Sequence, residues 1–111
     1  MSNVNVAYVF QGPITEPEKE TITQTVQLNL DNKMSGYIEK LKKNNDDSIT
    51  LKVVIEKNHD PENEVGHWFN GTFTLSAPGV EPLRYAREDF HQLTDLVNHA
   101  FDRFKETLAS K

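Results

Sequence analysis

From Gly66 to Ala77 apolar and polar side chains alternate one by one, with Phe69, Phe73 and Leu75 on one side and Trp68, Asn70, Thr72 and Thr74 on the other. A period of two predicts a strand covered on one face and wet on the other. Pro78-Gly79 supplies a turn, and Leu83 to Ala86 resumes the alternation. Arg87-Glu88-Asp89 then predicts entry into a helix, with Asp89 as N-cap and Gln92 three residues later. Phe90, Leu93, Val97, Ala100, Phe101, Phe104 and Leu108 make its apolar stripe, and Asp95, Asp102, Arg103 and Glu106 its wet side.

Upstream, Val4, Val6, Tyr8 and Phe10 alternate with Asn5, Ala7 and Val9, which predicts a first strand broken by Gly12-Pro13. Thr15 and Glu18 have capping-box spacing, Pro17 is tolerated in a first helical turn, and Glu16, Glu18 and Glu20 suit the positive end of the helix dipole. Ile22, Val26, Leu30, Met34, Tyr37, Ile38 and Leu41 recur at three and four, predicting one long helix. Thr21, Thr23 and Thr25 lower helix propensity and predict a loose or extended entry. Lys40, Lys42 and Lys43 fall at its C-terminal end, and Asn44 to Asp47 is a turn. Leu51, Val53 and Ile55 alternate with Lys52, Val54 and Glu56 in a second strand, followed by a polar loop over Asn58 to Val65.

The order βαβββα makes the first two strands parallel with a right-handed crossover, and the rest an antiparallel meander. The polar strand faces leave one sheet face for both helical stripes. The expectation is an α+β two-layer sandwich, a four-stranded mixed sheet with two helices on one face, forming a single domain over residues 1–111.

Composition narrows the functional classes. Hydrophobic residues at 36% and charged residues at 26% suit a soluble domain. There is no apolar run long enough to span a bilayer and no basic start with an apolar core, so neither membrane insertion nor secretion is expected. The absence of cysteine removes disulfides, thiolate nucleophiles and zinc–thiolate sites, and makes the cytoplasm the expected location. A net charge of −5 argues against strong sequence-independent nucleic-acid binding. The charge is uneven, however: six lysines against four acids over residues 33–57 leave room for a locally basic face.

The order of elements, with Phe69, Gly71, Phe73 and Leu75, then Leu83, Tyr85 and Ala86, then Asp89-Phe90, Thr94-Asp95 and Arg103, resembles the ribosome hibernation-promoting factor family, also called ribosome-associated inhibitor or sigma-54 modulation protein. Ile14-Thr15-Glu16 resembles that family's entry into its first helix, and the likeness is to the short form. The resemblance implies a non-enzymatic translation regulator that binds the small ribosomal subunit through 16S rRNA, blocking messenger and transfer RNA sites in stationary phase or stress. It implies RNA contacts from Lys33, Lys40 and Lys43 on the first helix, Arg84 and Arg87 by the last strand, and Arg103 on the last helix. Only Arg103 matches a family basic position closely; Ala100 stands where the family usually carries lysine.

Other constellations have plainer readings. His91, Asp95 and His99 are spaced along one helix stripe as metal ligands could be, yet such residues beside an apolar face are ordinarily solvated. His59, Asp60, Glu62, Glu64 and His67 match no metal-loop spacing. Without a Gly-rich phosphate loop or a nucleophile–base grouping, no enzyme activity, cofactor or small-molecule substrate is expected. Trp68, with Val54 on the open sheet face, offers an alternative: a protein-interaction module of the same fold, homodimeric through that face, that has lost ribosome binding.

Overall fold

In the computed structural model, which describes residues 4–34, 36–37, 49–59, 67–90 and 92–109, six elements follow one another. They are β1 (Val4–Gln11), α1 (Glu16–Asn32), β2 (Ile49–His59), β3 (His67–Ala77), β4 (Val80–Phe90) and α2 (Leu93–Ala109). The strands lie in the order β1-β2-β3-β4, with β1 parallel to β2 and the other pairs antiparallel. The fold is α+β, a four-stranded mixed sheet with two helices.

The period-two pattern decides which sheet face is dry. Ile49, Leu51, Val53 and Ile55 of β2 and Phe69, Phe73 and Leu75 of β3 share one buried cluster with Ile22, Val26 and Leu30 of α1. Leu93, Leu96, Val97, Ala100, Phe101 and Phe104 of α2 complete it, so both helices serve the same core. The edge strands are covered less well: Val4, Val6, Tyr8 and Phe10 of β1, and Leu83 and Tyr85 of β4, are only partly buried against it.

The capping box at the start of α1 forms as its spacing predicts. The Glu18 N–H donates to the Thr15 hydroxyl at 3.3 Å, and the Thr15 N–H donates back to the Glu18 carboxylate at 2.9 Å. The threonine-rich entry, expected to be loose, is regular helix. The hydroxyls of Thr21, Thr23 and Thr25 donate to the carbonyls of Pro17, Lys19 and Thr21 at 3.0, 2.8 and 2.7 Å. Bonding back one turn keeps those hydroxyls from competing for the backbone elsewhere. The helix itself ends at Asn32, and Met34 beyond it is fully buried. Ile38, Leu41 and the turn expected at Asn44 to Asp47 lie outside the described residues.

The largest departure from the sequence reading is at the last helix. Asp89 does not cap it and Phe90 is not in its stripe: both belong to β4, and the helix starts at Leu93. Phe90 stands opposite Phe69, and a register shift between Phe69 and Gly71 absorbs one extra residue of β4. The Leu96 N–H donates to the Gln92 carbonyl at 3.1 Å, opening the helix two residues beyond the strand. Phe90 satisfies the helical and the strand pattern equally well, and pairing along β3 decides between them.

Two glycines set the local geometry. Gly79 completes the β3–β4 turn with φ 72, which side chains strain to adopt. Gly71 faces α2, where a Cβ would lie 2.8 Å from the Cδ2 of buried Leu96, so its missing side chain lets helix and strand approach.

Candidate nucleic-acid interface

Three of the six cations implied by the family resemblance converge. Arg84, Arg87 and Arg103 line one groove of about 550 Å³ between β4 and α2, together with Tyr85, Ala86, His99, Asp102 and Glu106. The strand register explains how one strand contributes both arginines. Arg87 stands opposite Gly71 on the helix-side face, and Arg84 opposite Thr74 on the other face. Because β4 is a sheet edge, residues on both faces reach the same wall. On α2, burial of Ala100, Phe101 and Phe104 leaves His99, Asp102, Arg103 and Glu106 exposed.

The acids in the groove are partly committed elsewhere. Asp102 accepts a hydrogen bond from Lys33 at 2.7 Å, a bridge that ties the end of α1 to α2. Lys33 is therefore a neutralising partner beside the groove. Glu106 lies 3.7 Å from Arg103, both side chains about 70% exposed (68% for Arg103, 72% for Glu106), and an exposed pair this loose contributes little. Arg84 and Arg87 form no salt bridge among the described residues; the Arg87 guanidinium lies over the Phe90 ring at 5.7 Å. Phe90 also meets His99 edge-on at 5.5 Å, which fixes the seam between strand and helix. The groove thus presents three guanidiniums, with Asp102 held by Lys33 and Glu106 loosely beside Arg103.

Lys40 and Lys43 lie outside the described residues. Trp68 and Val54, paired in the alternative reading, are not brought together: Trp68 stands opposite Asn58, and Val54 opposite Thr72. Four residues separate the two positions along β3, roughly 13 Å of strand. His91 also lies outside the described residues, and His99 is absorbed by its contact with Phe90, so their expected stripe reduces to exposed Asp95 beside a helix–strand seam. Sequence reasoning passed over His99 and Tyr85 as groove residues. The four-residue spacing of His99 and Arg103 puts both on one helix flank, a signal present in the chain.

A second polar contact fixes the helix pair. Buried Asn29 donates to the Thr25 carbonyl at 2.8 Å and to the Asn98 side-chain oxygen at 2.9 Å. With the Lys33–Asp102 bridge, this pins the rotation of α2 and so the direction in which Arg103 leaves it.

No family model matches the chain, and no curated protein matches its sequence.

Proposed function

We propose that this chain is a non-enzymatic translation regulator of the hibernation-promoting type, binding the small ribosomal subunit through rRNA and occluding messenger and transfer RNA sites. The observation that carries this reading is the convergence of Arg84, Arg87 and Arg103 on one groove, with Asp102 neutralised by Lys33. Guanidiniums recognise phosphate with paired donors, and a groove walled on one side by a strand edge suits a backbone that runs past it. The chain's overall charge of −5 makes such binding local, dependent on this groove and not on a general basic surface.

The test is sedimentation through sucrose gradients with purified small subunits. The protein is expected to travel with the subunits at low salt and to leave them as salt rises. Arg84→Glu, Arg87→Glu and Arg103→Glu combined should return it to the top of the gradient with an unchanged circular dichroism spectrum. Failure of the unaltered protein to co-sediment at low salt would overturn the proposal.

A further inference from the structure

The two edges of the sheet are built differently. β4 carries Pro82, the charged residues Glu81, Arg84, Arg87, Glu88 and Asp89, and two register shifts against β3. Proline, charge and bulges are the devices that stop a strand edge from pairing further. β1 has none of them. Its eight residues, Val4 to Gln11, contain no charge, proline or glycine, and they pair with β2 in unbroken register from Val4–Ile49 to Gln11–Glu56. Among the described residues no strand pairs with the outer side of β1.

The cover over β1 is also incomplete. On β2 the helix-side residues Ile49, Leu51, Val53 and Ile55 are fully buried, whereas Val4, Val6, Tyr8 and Phe10 of β1 stay partly exposed. On the open face Val9 is 36% exposed, one of two large apolar side chains so exposed among the described residues. Among the described residues the edge therefore offers unpaired backbone groups, flanked by apolar side chains on the helix side and by Ala7 and Val9 between Asn5 and Gln11 on the other.

We infer that the outer edge of β1 is a self-association surface, pairing antiparallel with β1 of a second copy of this chain to extend the sheet across a two-fold axis. A second copy is the occupant because the strand is complementary to itself. With the axis at Ala7, Val6 faces the partner's Tyr8 and Val4 the partner's Phe10 on the helix side, while Asn5 faces the partner's Val9 on the other. Each aromatic thus meets a β-branched residue, a favourable cross-strand pair. No charge meets its own copy, although the chain carries −5 elsewhere. Helix-side residues face helix-side residues, so both helix layers lie on one side of the extended sheet. An edge of eight residues is roughly 27 Å long and only one strand thick, so the dimer is weak and concentration-dependent. This inference does not rest on ribosome binding, which uses the opposite edge.

Light scattering across a concentration series tests it, with amide hydrogen exchange as a second readout. The mass should rise from the 12.7 kDa of one chain toward twice that value, and the rise should persist in high salt. Ala7→Lys, an exposed substitution that sets like charges at the axis and also faces Lys52 of β2, should stay monomeric while keeping the circular dichroism spectrum of the unaltered fold. Thr74→Lys, on the open face of β3, should dimerise as the unaltered protein does. Amides of β1 should gain protection with concentration while those of β4 do not. A constant monomer mass would overturn the inference, as would undiminished dimerisation of Ala7→Lys. Loss of the dimer in Thr74→Lys would also overturn it, by moving the contact to the sheet face.

Discussion

Glu18 shows how a single side chain joins two elements. Its carboxylate accepts from Lys57 of β2 at 2.8 Å and from the Thr15 N–H and hydroxyl, both at 2.9 Å. Burial alone would raise this carboxyl, but the Lys57 ammonium and the two Thr15 bonds outweigh it and hold it below the ordinary value of 4.5. A carboxylate depressed in the folded state stabilises the fold above about pH 4.5, and that contribution is lost as pH falls through the folded value. Glu18→Gln should therefore flatten the acid limb of a stability–pH profile measured by urea denaturation, leaving the neutral-to-alkaline limb parallel to the unaltered protein. Gly71 makes the converse point, since what matters there is an absent side chain. Gly71→Ala places a methyl 2.8 Å from the Cδ2 of buried Leu96, whose side chain must shift, and overpacking of this kind costs about 1–3 kcal/mol. A lower urea midpoint at unchanged slope is the expected reading; an unchanged midpoint would show that α2 can retreat freely.

At the scale of elements, α1 depends on its ends and its one dry stripe. Thr15→Ala removes the hydroxyl that accepts from Glu18 and should cost about 1 kcal/mol in denaturant titrations. Thr23→Ala should cost less, because helix propensity favours alanine and only a back-bond to Lys19 is lost. The boundary between β4 and α2 was misread from sequence because two patterns overlap there. Phe90 is three residues before Leu93, as in a helix stripe, and the acids at Glu88 and Asp89 resemble a cap. Only the pairing with β3 and its bulge distinguishes them, and pairing is a non-local property. The threonine entry was misjudged for a related reason. Propensity penalises threonine on average, whereas these three hydroxyls each find a carbonyl one turn back.

At the scale of the molecule, charge is sorted by location. The −5 total hides a groove in which Arg84, Arg87 and Arg103 stand together and Asp102 is occupied by Lys33. If three phosphates are engaged there, log affinity should fall with log salt at a slope of about −2 to −3, shallow for a nucleic-acid binder. Under the proposed function, Lys33→Ala should weaken subunit binding without removing any groove cation, because it frees Asp102 to compete for the arginines; Asp102→Asn combined with it should restore the loss. Binding assays at fixed salt distinguish this from a direct Lys33 contact, for which the double variant would stay weak.

The chain's own pattern was enough to set the layer that each side chain joins. Alternation in β1, β2 and β3 and the three-four spacing in both helices are local consequences of backbone period, so strand order in sequence, the dry sheet face and nearly all core residues were readable without coordinates. Arg84, Arg87 and Arg103 were readable only as separate basic residues. Their convergence required an edge position for β4, a bulge before Phe90, the absent side chain of Gly71 and the Asn29–Asn98 and Lys33–Asp102 contacts that orient α2. Each of these joins residues far apart in sequence, and a one-dimensional pattern records period but not distance across the fold.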